Sequence, residues 1–463
     1  MAKTTLITKL ARWVLDFDAS WIPQEIINLA KLSVLDSIGC ALAALSEETA
    51  QNTLRVIDDL GGTGECTVIG TPMRTSVPNA VLANGVLIRS LDFNDHLAND
   101  PTDGTKLGGH PSDCIATALS VGERQKNQGR DALVAIVMGY ELFGRLQKLL
   151  DRERPWDHVT ALGFVVPAVA GRLMALEEEK LAHALALSAA HCATLGVVRR
   201  GQLSAAKFMA SPIVAQTGML ATLLAARGIT GPLGVFEDER GLSSGVLPAE
   251  ALSILTSPSG GKFMFEGVTI KAYPSLDTSQ AAIAAALEMR QVLKSSLANL
   301  ETIEVLMLDH PNIRKQIEDK DRRRPQSRET ADHSIYFLVA VALLDGELSQ
   351  RQFEGDRWFD PAVCALMDRI TFRTDKSWND RAPGGYPCTI RAVSRGGEKQ
   401  IVEVPYAPGH PQNRLSAEGV EEKFHNCTKG VLDESRRTKI IRTVHSLDSK
   451  SSVDGLMSLL AAS

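Results

Sequence analysis

The run from Phe208 to Ala226 carries no charged side chain. A helix that long and that apolar must be buried among other helices or in a membrane. Ser211, Pro212, Gln216, Thr217, Gly218 and Thr222 interrupt it, and its neighbours are ordinary amphipathic helices. The reading is therefore a buried central helix in a bundle rather than a lone span. Residues 1 to about 230 support it. Apolar residues recur at three- and four-residue steps from Pro23 to Leu42 and from Asn79 to Ile88. Further helices are predicted near 112–124, 131–150, 158–175, 180–195 and 204–227, most of them apolar nearly all round.

The pattern changes after Gly260. Val268-Thr-Ile-Lys-Ala-Tyr alternates like a strand, as do Thr302–Leu308, Arg369–Arg373, Cys388–Val393 and Gln400–Pro405, with helices near 276–296 and 331–345 among them. After Pro408 the chain returns to helix, with Ser416 as N-cap. The predicted fold is mainly α with an inserted α+β domain: helical over 1–265, α+β over 266–404, and a helical return over 405–463. A chain of 463 residues is long enough for two cores.

A net charge of -5 makes no electrostatic case for nucleic acid or an anionic membrane. Seven scattered cysteines without a CxxC pair point away from a zinc site, a cluster or a disulfide framework. The N-terminal Met-Ala-Lys-Thr-Thr-Leu lacks a secretory core, and Leu6–Leu15 reads as the first helix. The expected compartment is the cytoplasm, with the mitochondrial matrix as the alternative. No GxSxG or HExxH motif occurs, Gly61-Gly-Thr-Gly64 lacks the third Gly of a dinucleotide site, and Asp92–Leu97 lacks the Gly and Glu of a calcium loop. No cofactor and no metal is expected.

Chemistry concentrates in Ser90-Leu-Asp-Phe-Asn-Asp-His96 and Gly109-His-Pro-Ser-Asp113. Pro111 suits a first helical turn, which puts His110 at or near an N-cap, where N–H groups and the helix dipole can hold a carboxylate. The same dipole disfavours the imidazolium and keeps His110 usable in proton transfer. Lys207 is the only charge between Leu203 and Ala226. Buried, it needs a partner; near the helix end, it can snorkel. Arg199 and Arg200 form a cationic turn that suits a polycarboxylate or simply faces solvent. His158 opens an apolar helix as a cap or as a catalyst. Lys271 precedes a Pro loop with Ser275, Asp277 and Thr278 as possible caps, a second anion site. Thr330 or Asp332 is expected to cap the next helix, with His333 packed between domains.

Together these motifs resemble the MmgE/PrpD family, whose members include 2-methylcitrate dehydratase and cis-aconitate decarboxylase. The wording Ser90-Leu-Asp-Phe-Asn-Asp and Gly109-His-Pro-Ser-Asp is similar to the dehydratases. Asp157-His-Val, Arg227–Pro232, Ala272–Ser275, Thr330–Ile335 and Leu343–Gly346 recur in family order. The resemblance implies a helical domain built from both chain ends, an α+β lid, an active site between them and a homodimer. It also implies cofactor-free chemistry on small di- or tricarboxylates. By position, Asp92, His110, His158, Lys207 and Lys271 match residues of the family's active site. His96 stands where relatives place a Thr. Dehydratases resemble Phe-His-Ser-Gln where this chain has Asp277-Thr-Ser-Gln280, so Thr278 replaces a His. Phe337 fills a slot usually held by Tyr, with Tyr336 one place early. These departures predict an altered pocket wall.

The expected reaction is dehydration of 2-methylcitrate or a related alkylcitrate by α-proton abstraction and loss of hydroxide. His110 and His158 share the base and acid roles, unassigned between them. Lys207 and Lys271 offset developing charge, and Asp92 orients a His. Asn94, Asp95, His96, Arg199, Tyr273 and Thr278 are the expected substrate contacts. The alternatives are decarboxylation of cis-aconitate, isomerisation of a small dicarboxylate, or a silent dimeric carboxylate-binding protein.

Overall fold

Helices whose apolar faces exceed one stripe can be hidden only by other helices, and the first half of the chain stacks accordingly. The computed structural model describes residues 5–149, 156–242, 251–256, 261–293 and 297–462. Its principal helices before residue 230 are Leu6–Asp16, Gln24–Ala43, Glu48–Leu60, Val77–Arg89, Ile115–Gln125, Gly129–Leu149, Leu162–Leu173, Glu178–Ala189 and Ala206–Ala226. The ends expected at 150 and at 294–296 lie outside the described residues. The helix expected over 180–195 stops at Ala189, because Thr194 and Leu195 instead bridge back to Trp156 and Asp157. Ala206–Ala226 packs against Val77–Arg89, Leu162–Leu173 and Glu178–Ala189. It is not buried all round, since Ile213, Leu220 and Leu224 stay exposed.

The protein is mainly helical with a smaller α+β part. One apolar core joins residues between Leu6 and Val268 to residues between Val420 and Leu460. A second lies within Ala281–Val404. The second surrounds a sheet whose strand Leu300–Leu308 runs parallel to Ile370–Asp375 and antiparallel to Cys388–Ser394, with Lys399–Val404 outermost. Helix Gln280–Val292 covers this sheet, and the apolar helix Ile335–Asp345 packs against that helix. The strand expected from Val268 shortens to Val268–Thr269 and joins another partner: it pairs antiparallel with His96–Leu97. Lys271 turns away onto Asp92, and Pro274 cannot continue a ladder.

Ser416 caps the return helix Ala417–Thr428, which packs along Gln24–Ala43. Its buried Lys423 pairs with Asp36 at 2.5 Å and donates to the Phe93 carbonyl at 2.8 Å. The end of the chain thus holds the acidic loop from behind. Lys423→Met should lower stability by about 3–5 kcal/mol, because it strands a buried carboxylate. The double variant Asp36→Asn/Lys423→Met should recover much of that loss. Urea unfolding checks both.

Candidate active site

The helix Val77–Arg89 ends by delivering the chain to Asp92, whose φ of 46° is left-handed. A non-glycine residue there costs on the order of 1–2 kcal/mol, so its surroundings must hold it. Arg89 Nη1 lies 3.0 Å from Asp92 Oδ1 and Lys207 Nζ 3.3 Å from Oδ2. Lys271 Nζ donates to both the Asp92 carbonyl and Oδ1 at 2.8 Å. Burial opposes ionisation of Asp92, but Lys271, Lys207 and Arg89 together hold its carboxyl well below the usual range.

Lys207 is wholly buried. Its Nζ sits 2.9 Å from Asp332 Oδ1 and 2.9 Å from His333 Nδ1, while His333 Nε2 lies 3.4 Å from Asp92 Oδ2. Asp92, Asp332 and His333 present ligand atoms within 4.8 Å of one another, a donor set that suits a metal ion. The positive charge at their centre is the Lys207 ammonium itself. Burial drives Lys207 down to about 8 although Asp332 and Asp92 oppose it. Burial, reinforced by Lys207, pushes His333 down to about 3. The capping expected of Thr330 and Asp332 falls instead to Ser327 and Ser334. Thr330 accepts from the Leu203 N–H, and Asp332 is taken by Lys207.

His110 Nδ1 lies 2.6 Å from the carbonyl of Asp95. A carbonyl only accepts, so Nδ1 carries the proton and Nε2 presents a lone pair, 3.6 Å from Asp92 Oδ1. Burial first, then Arg89 and Lys271, keep the imidazolium well below its ordinary range. Pro111 does open a helix, but its first turn, Pro111–Cys114, is of the tighter 3-10 kind. The Ser112 N–H points to Asp95 Oδ1 at 3.2 Å, and Asp95 Oδ2 accepts from Tyr140 at 2.7 Å. The helix start expected to bind substrate is therefore occupied by the protein's own carboxylate. Asn94, fully buried, accepts from Arg89 and donates to Ser112.

Asp157 accepts from the Val159 N–H and from Arg199 Nε at 2.6 Å. It also lies 3.3 Å from His158 Nδ1, while Arg199 Nη2 approaches His158 Nε2 at 3.5 Å. Burial, with Arg199 adding to it, takes His158 down to about 3. His96 Nδ1 lies 3.4 Å from Asp277 Oδ2. The three rings form a row, with centroids 5.6 Å apart from His96 to His110 and 5.9 Å from His110 to His158. Gly109, at φ 84°, permits the approach: a Cβ there would stand 2.6 Å from His158 Cδ2 and 2.7 Å from Phe143 Cζ.

These side chains line a cavity of about 470 Å³. Asp92, His96, His110, His158, Arg199, Lys271 and Thr278 reach its wall. Asn94, Asp95 and Tyr273 do not. The first two are tied up behind His110, and Tyr273 faces a different cavity beside Phe93 and Lys423. Lys207 supports Asp92 from behind the wall. The structure adds Arg89 behind the wall and Gln316 and Arg322 on it, and it brings Arg200, Asp277 and His333, each singled out above for another reason, to the same wall. Arg89 was legible, being the only charge on its helix, as Lys207 is on its own. Of the departures noted above, His96, Asp277 and Thr278 lie on the wall, but Phe337 and Tyr336 are core residues. Phe337 packs near Phe353 and Trp358, and Tyr336 bonds the Ile317 carbonyl.

Family models match most of the chain. The MmgE/PrpD N-terminal domain matches residues 8–254 and the MmgE/PrpD C-terminal domain residues 273–449. The chain belongs to the MmgE/PrpD family. It is 25% identical to human cis-aconitate decarboxylase over 95% of this chain and 91% of that protein. To the 2-methylcitrate dehydratase of Cupriavidus necator it is 26% identical, over 86% and 84%. The cis-aconitate decarboxylase-like protein oryM of Aspergillus oryzae is 23% identical over 98% and 96%.

Gly109→Ala should displace His158 and cost about 1–3 kcal/mol from overpacking. Thermal unfolding and ligand binding by the purified variant check this; an unshifted transition with intact binding would contradict it.

Proposed function

We propose that this protein is a cofactor-independent lyase that dehydrates a small tricarboxylate of the alkylcitrate class, 2-methylcitrate first among them. One observation carries the reading: His110 is a neutral imidazole of defined tautomer, its Nε2 lone pair beside a cavity lined by Lys271, Arg199, Arg200 and Arg322. A carbon acid next to a carboxylate is weak, so the charge that builds during proton removal must be met by fixed cations. Lys271 supplies one on the wall. Arg199, held by Asp157, offers a second contact for a substrate carboxylate. Burial, with Arg89 and Lys271, disfavours the imidazolium. A bound polyanion offsets those cations and moves His110 toward the range where it can take a proton. Asp92 then faces the imidazolium, and Lys207 keeps Asp92 ionised and in place.

Decarboxylation of cis-aconitate is the second reading, supported by the near full-length match to proteins named as decarboxylases. In it the same cations stabilise a carbanion, and protonated His110 quenches it.

Proton NMR time courses with 2-methylcitrate, citrate and cis-aconitate separate these. Alkene signals from a citrate support dehydration, itaconate from cis-aconitate supports decarboxylation, and no change in any tube refutes both. His110→Ala should reduce turnover by ~10²–10⁴-fold. Because Lys207 is pushed down to about 8, it is protonated below that pH and loses its charge above it. kcat/KM, which reports the free enzyme, should therefore fall as pH rises through about 8. Lys207→Arg should remove that alkaline limb; a flat wild-type profile would count against the role given to Lys207.

A further inference from the structure

Elimination of water needs a group that gives a proton as well as one that takes it. His110 is arranged to take, since its only proton is held by the Asp95 carbonyl. His158 presents Nε2 to a guanidinium N–H of Arg199, which makes that nitrogen an acceptor too. The third imidazole of the row is placed differently. His96 lies on the short strand His96–Leu97, and Asp277 opens the turn before helix Gln280–Val292. They come from distant segments, they face each other at 3.4 Å, and both line the cavity. Asp277 also acts on Lys106 and His410, raising each against the burial that lowers it. Lys106 is otherwise engaged, donating to the Gly385 carbonyl at 2.7 Å and lying over the Tyr386 ring. A carboxylate at ion-pair distance from Nδ1 favours the imidazolium, in which Nε2 carries a proton as well. Next to this pair, Thr278 is tied to Gln316 at 2.8 Å. The wall that lacks an imidazole at 278 has one at 96, with its own carboxylate.

We infer that His96, oriented by Asp277, hydrogen-bonds the substrate's hydroxyl oxygen and protonates it as the carbon–oxygen bond breaks. The pocket therefore selects hydroxylated tricarboxylates over counterparts without the hydroxyl. This rests on the dehydration proposed above. His110 Nε2 takes the α-proton, and the carbon–hydrogen electron pair becomes the new carbon–carbon π bond. The carbon–oxygen pair leaves on oxygen, and the proton from His96 Nε2 completes a water molecule. Exchange with solvent returns the proton from His110 and reloads His96.

Two variants test it: His96→Thr, which exchanges the imidazole for a hydroxyl, and the near-isosteric Asp277→Asn. Calorimetry compares citrate with propane-1,2,3-tricarboxylate, which lacks only the hydroxyl. The wild type should prefer citrate by at least about tenfold, and both variants should lose that preference. Turnover of the hydroxy substrate by His96→Thr should fall by ~10²–10⁴-fold. The loss should be far smaller for an analogue carrying fluoride in place of the hydroxyl, because fluoride departs without a proton. Equal binding of both ligands by the wild type overturns the inference. So does a preference unchanged in the variants, or equal losses on the two leaving groups. A wild type that eliminates from no citrate, yet shows a preference abolished by both variants, overturns dehydration and upholds the hydroxyl contact.

Discussion

The carboxylate of Asp92 is the point at which the separate parts of this chain meet. Buried, it can stay ionised only beside cations, and its three come from different places: Arg89 next to it in sequence, Lys207 on helix Ala206–Ala226, and Lys271 beyond strand Val268–Thr269. Each of those cations is itself out of water and needs an anion in return. Asp113 lies 3.6 Å from Arg89 Nε and Asp332 2.9 Å from Lys207. Three cations and three carboxylates thus share one interior. A buried network of this kind contributes little net stability, because desolvation offsets most of the attraction. What it specifies is position. A shift in any of these segments leaves an unpaired charge inside the protein, so the geometry of the cavity wall is held to narrow limits.

The same economy explains the strained backbone. Asp92 at φ 46° is tolerated because its carbonyl and its carboxylate both bond Lys271. Gly109 takes its left-handed turn so that the His158 ring can lie against the backbone. His110 is fixed by a backbone carbonyl: the Asp95 side chain is spent on Ser112 and Tyr140, and only its backbone oxygen faces the imidazole. A neutral partner fixes the tautomer without favouring the imidazolium. That suits a base that must be uncharged when the substrate arrives.

Periodicity made the helices legible because burial on most faces demands apolar residues at every helical step, and Phe208–Ala226 could hardly be anything else. Lone charges on such helices marked Lys207 correctly as a residue in need of a partner, and the same argument applies to Arg89. Residues next to Pro and Gly were read less well. His333 and Asp332 looked like a cap and its neighbour, since nothing in the local pattern shows that Lys207, far off in sequence, would reach between them. Asn94 and Asp95 share a loop with Asp92 but point away from the cavity, which depends on one left-handed residue that composition does not reveal. The partner of Val268–Thr269 was equally hidden, because a two-residue strand carries no periodicity of its own.

The departures from the family pattern sort themselves by where the fold puts them. Phe337 and Tyr336 lie inside an apolar core, where Tyr336 finds the Ile317 carbonyl for its hydroxyl, and neither lines the cavity. His96, Asp277 and Thr278 are different in kind, since all three reach the wall and two of them face each other. An isolated imidazole on this wall would add a polar group with no defined protonation. An isolated Asp in a pocket lined by Lys271, Arg199 and Arg322 would repel a polycarboxylate. Side by side, 3.4 Å apart, each answers the difficulty of the other: a carboxylate favours a proton on the ring beside it, and a protonated ring offsets the carboxylate's charge. Changes that offset one another across two distant segments are what a relocated function looks like, whereas loss of function needs no such match. For that reason the His96–Asp277 pair supports the proposed working pocket rather than a silent one.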